Sequence, residues 1–257
     1  MVAGEIQISA QCAGFLIYRF EKLTYIRMVH MTKNKNKKVS RSGSSTSSQK
    51  LPSIKLLKPT LTGGTSVLQA LQQRKTIREI SDKKLSLQLL SNLLWAACGV
   101  NRKKGPFGIP GRTAASASNS QEIDLYVVMQ KGIYVYDPLQ HRLVPVIAGD
   151  LRTLAIGPGQ AQLVANAPVQ LIYIADINKL SNTSGYREPG LQNPEIQKSY
   201  YYVDTGLIAG NVYLFAASQG LASWFHNCNK TGLSTKLNLR AEQRVLFGQT
   251  VGYPAKK

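Results

Sequence analysis

The amino-acid sequence predicts an α+β fold in which a largely antiparallel sheet lies between helices in three layers. Apolar residues recur at three- and four-residue steps in some segments and at every second residue in others, so helices and strands are interspersed along the chain. Two neighbouring strand segments are separated only by Gln-Lys-Gly, as in a hairpin. At 43% hydrophobic residues, the 257-residue chain can bury the core that such a domain needs. Interspersed helices and strands with a local hairpin are typical of this fold class.

Two amphipathic helices are predicted before the hairpin. The first begins at Ser66 and runs into Arg74. The second has Ser86 in the N-cap position and Gly99 as its stop signal, with leucines between them at three- and four-residue steps. A loop rich in glycine and proline follows over residues 105–111, where the apolar period changes from that of a helix to that of a strand.

The second half of the chain supplies the rest of the sheet and one long helix. The longest apolar helix is predicted to end at Gly220, a residue that suits a helix C-terminus. Because apolar groups lie on most of its sides, this helix is expected deep in the domain or at a subunit contact. The predicted elements are a hairpin over 125–129 and 133–136, a helical segment near 150–165, a buried strand over 169–175, the long helix over 202–219, a short strand over 221–225, a small helix near Arg240 and a last strand over 245–251.

The positive charge is concentrated in the N-terminal part of the chain. The whole protein has 32 Lys and Arg against 13 Asp and Glu, and residues 1–58 hold 11 of these cations and only two of the acids. The run over residues 33–50 is rich in lysine and serine and almost without apolar residues, so burial cannot offset the entropy lost on ordering it. We expect a disordered basic leader over residues 1–58 and a folded domain over 59–257. The leader is either a solvated extension or a tether to nucleic acid or an anionic membrane.

Several classes of protein are excluded by what the sequence lacks. Three cysteines are too few for a disulfide scaffold, and neither they nor the three histidines have the spacing of metal ligands, so no metal site is expected. No stretch of about 18 apolar residues predicts a transmembrane helix. No nucleophile elbow and no glycine-rich phosphate loop is present. A cofactor-dependent enzyme remains, since the cofactor then carries the difficult chemistry.

A basic segment at the end of the first helix is the first candidate site. Arg74, Lys75, Thr76 and Arg78 offer two guanidiniums, an ammonium and a hydroxyl within five residues. Such a group can bind a phosphate in bidentate fashion and leave a cation for a second anionic group. From composition alone, a solvated basic turn is the better explanation.

A small polar segment before the hairpin is the second candidate. Small residues over 115–118 would allow a planar ligand to approach the backbone, and Asn119 can both donate to and accept from the edge of a heterocycle. An ordinary polar loop explains the same composition.

Taken together and in order, these segments resemble the FMN-dependent nitroreductase family. The resemblance extends over about residues 63–254. Within the family, the sequence is similar to the branch that contains the SagB-type dehydrogenases. It rests on Arg-x-Thr-x-Arg at 74–78, Leu-Ser-Asn-Leu-Leu-Trp-Ala-Ala-Cys-Gly-Val-Asn at 90–101, Arg-Thr-Ala-Ala-Ser-Ala-Ser-Asn-Ser-Gln at 112–121, Tyr-Val-Asp-Thr-Gly at 202–206 with Asn211, Gly-Leu at 220–221, and Gly-Gln-Thr-Val-Gly-Tyr-Pro at 248–254.

The resemblance implies an intertwined homodimer of the nitroreductase-like α/β/α fold with FMN at each of two interface sites. Arg74 and Thr76 would hold the phosphate and ribityl chain, with Lys75 contributing in part through its backbone. Arg78 would lie beside the flavin pyrimidine, where a cation stabilises the negative charge of the reduced ring. The remaining residues that the resemblance assigns to the cofactor are Ser116, Ala117, Ser118, Asn119 and Gln121, the first three from the partner subunit, then Asn227 and Cys228 along the flavin face, and Lys256.

Two departures from the family pattern affect this assignment. The family's Pro-Ser-Ala is Ala114-Ala115-Ser116 in this chain, so the loop is less rigid. Many relatives also place a further basic phosphate ligand beyond the Gly-Tyr-Pro strand, whereas this sequence ends three residues after Pro254. Lys256 and Lys257 are expected to take that role. No side chain is assigned as catalytic.

The predicted function is therefore that of a cytoplasmic FMN-dependent oxidoreductase. NAD(P)H would reduce FMN, and a small organic acceptor such as a nitroaromatic or quinone would then be reduced in a ping-pong mechanism. One alternative is a SagB-type dehydrogenase that oxidises an azoline heterocycle in a peptide. Another is a non-catalytic nucleic-acid-binding protein on a degenerate flavin fold, although the charge in the folded part favours a flavin nucleotide over nucleic acid.

Overall fold

A seven-stranded, wholly antiparallel sheet forms the centre of the fold. The computed structural model describes residues 51–160, 165–184 and 192–256. The strand order is β1-β6-β5-β4-β7-β9-β8, and a separate two-stranded ribbon pairs β2 with β3. The strands are β1 (Ile54–Lys55), β2 (Val100–Arg102), β3 (Gly111–Arg112), β4 (Ile123–Met129), β5 (Gly132–Asp137), β6 (Arg142–Ala148), β7 (Val169–Asp176), β8 (Ala222–His226) and β9 (Gln243–Gly252).

Five α-helices in the described part of the chain accompany the sheet. Ser66 and Ser86 cap the first two helices, as the sequence predicts, and each side chain accepts a hydrogen bond from a backbone N–H of the first turn. The long helix begins at Pro194, eight residues before its predicted start, and Asn193 caps it. The helices are α1 (Val67–Gln73), α2 (Leu87–Cys98), α3 (Ile177–Ser181), α4 (Pro194–Ser218) and α5 (Lys230–Leu237).

Strand β7 separates two apolar clusters that lie on opposite faces of the sheet. All eight of its residues are buried, and successive side chains of a strand point to opposite faces. Leu171 and Tyr173 belong to the cluster that contains residues of α2 and α4. Ile172 and Ile174 belong to the cluster that contains Leu233 of α5. Helices therefore cover both faces of the antiparallel sheet, and the predicted α+β three-layer fold is confirmed.

The structure corrects three predicted boundaries. Strand β1 pairs with β6 and Leu56 is buried, so the folded part begins before residue 59, because these residues cover the sheet edge. Between residues 150 and 160 only one short turn of 3-10 helix forms, at Arg152–Ala155, and residues 161–164 of the predicted helix lie outside the described residues. A small helix does lie between β8 and β9, as predicted, but it is α5 and ends at Leu237, before Arg240, because Asn238 is left-handed.

Other predictions concern residues outside the described part of the chain. Residues 1–50 of the expected leader and Lys257 belong to this group. Among the described helices, none has the length and apolar character that crossing a lipid bilayer requires.

Candidate functional site

The basic segment, residues 74–78, runs along the edge of the sheet. Arg74 caps the C-terminus of α1 with extended backbone (φ −57°, ψ 119°), so the chain leaves the helix there. The Ile77 N–H then donates to the Ser223 carbonyl on β8 at 3.1 Å. Because β8 is the last strand of the sheet, this contact covers an edge that would otherwise be open.

Tyr213 on α4 joins the basic segment to β8. Its hydroxyl oxygen lies 3.1 Å from the Thr76 hydroxyl and accepts the Phe225 N–H at 2.8 Å. The Arg74 guanidinium carbon lies 5.6 Å from the centre of the tyrosine ring, within the range of a cation–π contact. Tyr213 thus contacts the side chains of Arg74 and Thr76 while both residues stay exposed.

Arg78 and the C-terminal Lys256 extend the same basic edge. The Arg78 guanidinium lies 5.6 Å from the Trp224 ring, and the Ala255 N–H donates to the Glu79 carbonyl at 2.9 Å. The pairing places Lys256 beside the strand-like continuation of the basic segment. Within the described residues, none of the four cations Arg74, Lys75, Arg78 and Lys256 forms an ion pair with a carboxylate. Arg74, Lys75, Thr76, Arg78 and Lys256 therefore all lie along this edge of the sheet.

The second candidate segment, residues 116–121, forms a strained turn that we call the amide turn. Ser118, Asn119 and Gln121 have φ values of 48°, 55° and 53°, a left-handed conformation that non-glycine residues adopt at a cost. The Ala117 N–H donates to the Asp204 carboxylate at 2.8 Å, and the Gln121 N–H donates to the Ser116 hydroxyl at 3.0 Å. The first bond holds the turn against α4, and the second closes the turn on itself.

The side chains of Asn119 and Gln121 bind other parts of the same chain. The Asn119 amide donates weakly to the carbonyls of Pro106 and Ile109, at 3.4 and 3.3 Å. The Gln121 amide donates to Pro110 and Asn119 and accepts from the Arg112 guanidinium at 2.6 Å. Gln121 therefore fixes the neighbouring loop to the turn. The family resemblance assigns Gln121 to the cofactor and does not predict this structural role.

The basic segment and the amide turn contact opposite sides of α4. The basic segment bonds to Tyr213 and the amide turn to Asp204, nine residues earlier. Along an α-helix, nine residues span about 13 Å and two and a half turns, so the two contacts lie on opposite sides of α4. Within one chain, the two predicted parts of the cofactor site are therefore not brought together.

Asn227 and Cys228 follow β8 and differ from the expected lining of a flavin face. The Cys228 side chain is buried in the cluster behind the sheet, where burial raises the pKa of its thiol to about 11. Its N–H donates to the Asn227 side chain at 3.0 Å, while the Asn227 carbonyl accepts from Gly157. Core packing removes the Cys228 thiol from any open cleft, whereas Asn227 stays exposed.

His226 is also held internally. One ring nitrogen lies 2.7 Å from the Asn227 carbonyl and must donate to it, so the other nitrogen, 2.8 Å from the Thr250 hydroxyl, accepts. Burial lowers the pKa of His226, in keeping with this neutral tautomer.

Two buried carboxyl groups lie beneath the amide turn, and we call them the carboxyl pair. Glu122 is fully buried at the start of β4, and Asp204 is 4% exposed on α4. The Ser120 hydroxyl donates to one oxygen of Glu122 at 2.6 Å, whereas the other oxygen is buried without a partner among the described residues. Glu122 and Asp204 line the same small cavity. Burial, followed by the charge of Asp204, raises the pKa of Glu122 to about 8, and burial also raises that of Asp204. No motif predicted this pair, although Asp204 lies within the Tyr202–Gly206 motif.

A cavity of about 620 Å³ opens elsewhere, between β1, the β4–β5 turn and the start of β7. Its walls include Ile54, Leu85, Met129, Tyr134 and Arg152, and none of the predicted site residues lines it. Arg152 is neutralised there by Asp150, at 2.6 Å. Within the described residues, no cluster of three or more metal-ligating side chains occurs.

The fold is thus an antiparallel sheet with helices on both faces, and one edge carries exposed cations that form no ion pair among the described residues. A model of the nitroreductase family matches residues 71–253, well over half of the chain. The chain therefore belongs to the nitroreductase family, and its class is that of the oxidoreductases.

Individual relatives agree with this assignment. A nitroreductase-family protein of Methanocaldococcus jannaschii is 29% identical over 158 residues, which cover 59% of this chain and 73% of that protein. The crystal structure of a nitroreductase-family protein from Ralstonia eutropha JMP134 is 31% identical, with a TM-score of 0.68 over 86% of this chain and 97% of that one. A nitroreductase-family structure from Desulfovibrio desulfuricans in complex with FMN is 19% identical, covers 75% and 88% of the two chains, and has a TM-score of 0.51, so it supports the fold.

Proposed function

We propose that this protein is an FMN-dependent oxidoreductase whose basic segment binds the cofactor's phosphate. The observation that carries the proposal is the exposed group of Arg74, Lys75, Arg78 and Lys256, without carboxylate partners among the described residues. A dianionic phosphate supplies the counter-charge that such a group lacks, and guanidiniums bind it in bidentate fashion. The exposed Thr76 hydroxyl adds a hydrogen-bonding group next to Arg74. The donor set therefore fits a flavin mononucleotide.

Some of these residues would bind the phosphate, and Arg78 would stabilise charge on the flavin ring. Arg74, Lys75 and Thr76 would hold the phosphate end, and Lys256 would add charge from the C-terminal strand. Arg78, held over Trp224, would place a cation beside the pyrimidine edge and stabilise negative charge there. Bound FMN would supply the hydride and electron transfer that the side chains cannot perform. NAD(P)H and a small organic acceptor would occupy the same open face in turn.

A homodimer is part of the proposal because two surfaces of the chain need a partner. The side chains of Val203 and Leu207 on α4 are 59% and 44% exposed, and a Cβ added to Gly206 or Gly210 would meet nothing within 4 Å. The apolar face of α1 is also exposed, with Leu68 at 78%. Apolar, small-residue helix faces of this kind allow another subunit to pack closely. A second copy could also bring its amide turn to this chain's basic segment, which one chain cannot do.

The test is the flavin content of the purified protein and of Arg74→Ala. We expect stoichiometric FMN in the wild-type protein, and a dissociation constant raised roughly 10- to 100-fold in Arg74→Ala, because a charged hydrogen bond contributes about 1.5–3 kcal/mol. Arg142→Ala is the matched control, since Arg142 pairs with Asp137 on strands far from β8. Circular dichroism would verify that both variants fold. A wild-type protein that rejects added FMN would refute the proposed function, and unchanged affinity in Arg74→Ala would refute the phosphate assignment.

A further inference from the structure

The amide turn is a strained structure that something must hold in place. Of the six non-glycine residues with positive φ in the described part of the chain, three lie in this turn. Each such residue costs about 1 kcal/mol or more, and a turn of this kind persists only where its surroundings determine its conformation.

The carboxyl pair provides that support from below. Asp204 anchors the front of the turn through the Ala117 N–H at 2.8 Å, and Glu122 anchors its end through the Ser120 hydroxyl at 2.6 Å. Both carboxyls line the same small cavity, and the second oxygen of Glu122 is buried without a hydrogen-bond donor among the described residues. Two carboxylates buried beside each other cannot both be ionised, so one of them keeps a proton that can bridge to the other. The backbone of Glu122 is fixed as well, because its carbonyl accepts the Asp176 N–H at 2.9 Å. One proton therefore links both anchors of the turn.

We propose that Glu122 and Asp204 are positioning residues whose shared proton holds the amide turn in the shape that meets the flavin of the partner subunit. The inference rests on the proposed function, since it assigns the turn to an FMN site, and it adds a control of that site by pH. Neither carboxyl contacts the reacting atoms, and both act through Ala117 and Ser120.

The charges around the pair do not replace the proton. Arg112 lines the same small cavity, but its guanidinium donates to Gln121. The Cys98 thiol on α2 also lines the cavity and is neutral, because burial raises its pKa to about 11. The other charged groups on the neighbouring strands and helices are paired with one another: Asp124 with Lys179 at 2.5 Å, and Asp176 with Arg240 at 2.6 Å.

The expected pH dependence follows from the raised pKa of Glu122. At neutral pH the folded protein keeps a proton that an unfolded glutamate, with a pKa near its ordinary value of 4.5, has lost. The free energy of unfolding should therefore fall as the pH rises from about 4.5 to about 8. Above about pH 8 the proton leaves, the two carboxylates repel each other, and the anchors of the turn separate.

The experiment compares wild type with Glu122→Gln between pH 7 and pH 9, with Glu242→Gln as a control at a partly exposed glutamate. In this pH range the phosphate of FMN and the lysines keep their charge. Glutamine can accept from Ser120 and donate permanently to Asp204, so it replaces the proton. Two quantities are measured: the FMN dissociation constant from flavin fluorescence, and the free energy of unfolding of the FMN-free protein in urea.

We expect the wild-type dissociation constant to rise about tenfold from pH 7 to pH 9, the change that loss of one proton near pH 8 produces. The Glu122→Gln constant should stay within about twofold, while Glu242→Gln follows the wild type. Equal pH dependence in wild type and Glu122→Gln would overturn the inference and leave the proposed function standing. A pH effect on unfolding without one on FMN affinity would also overturn it, since the pair would then be structural only. Failure of every form to bind FMN would overturn the proposed function as well. If Glu122→Gln does not fold, Asp204→Asn provides the same comparison from the other carboxyl.

Discussion

Replacing Tyr173 by phenylalanine should reveal how strongly α4 is fixed to the sheet. The Tyr173 hydroxyl on β7 donates to the Gln249 side chain at 2.5 Å. The Gln249 amide then donates to the Ser223 hydroxyl on β8 at 3.0 Å and to the Ala209 carbonyl of α4 at 3.4 Å. Tyr173 and Gln249 are both fully buried. This network connects the long helix with the strand that the basic segment covers.

The magnitude follows from what the substitution leaves behind. Tyr173→Phe keeps the ring but leaves the buried carbonyl oxygen of Gln249 without a donor. A buried acceptor without a partner costs about 1–3 kcal/mol. With a urea slope of about 2 kcal/mol per molar, the unfolding midpoint should fall by roughly 0.5–1.5 M. Urea unfolding at one protein concentration measures this shift, because association would make the midpoint depend on concentration.

A double-mutant cycle provides the decisive comparison. Gln249→Leu removes the acceptor, so adding Tyr173→Phe to it should cost at least about 1 kcal/mol less than Tyr173→Phe costs alone. Tyr253→Phe, at a half-buried tyrosine covered by Lys83, is the control and should change stability by less than about 0.5 kcal/mol. Additive effects of the two core substitutions would refute the reasoning, as would a Tyr173→Phe midpoint equal to that of the wild type.

Two further predictions test the core. Leu93 is fully buried between α2 and the sheet, so Leu93→Ala should lower the free energy of unfolding by about 2–5 kcal/mol, whereas Leu139→Ala, at a 63% exposed position, should change it by less than about 0.5 kcal/mol in the same urea titration. In a Cys12→Ser background, the buried thiols of Cys98 and Cys228, each with its pKa raised to about 11 by burial, should resist a thiol reagent at pH 8 and react after unfolding; rapid labelling of either in the native protein would contradict their placement.

Elements with strong local signals were predictable from the sequence. Ser66 and Ser86 cap helices because a serine side chain can accept the N–H groups of the first turn without help from distant residues. The hairpin of β4 and β5 forms with its turn at Gln130–Lys131, and β7 forms over the predicted apolar run. Each of these signals lies within about ten residues of chain, so residues close in sequence are enough to predict the element.

Elements that depend on tertiary contacts were not predictable in the same way. Strand β6 contains Pro145, which usually argues against a strand, and it forms because a bulge opposite Ile133 and Tyr134 accommodates the proline. The residues near 150 had an apolar pattern but form only a short turn, and their apolar side chains pack against β4 and α5 instead. Packing against distant strands therefore outweighed local propensity.

The sequence by itself determined the chemistry of the basic segment, since two arginines, a lysine and a threonine within five residues suit a phosphate wherever the fold places them. Only the tertiary structure decided which residues contact the basic segment and which residues hold the amide turn. Tyr213 reaches Thr76 from 137 residues away, and Glu122 meets Asp204 across 82 residues. The structure also places the Cys228 thiol in the core. Such pairs have no local pattern, because their energies arise from burial and hydrogen bonding between segments that only the folded chain brings together.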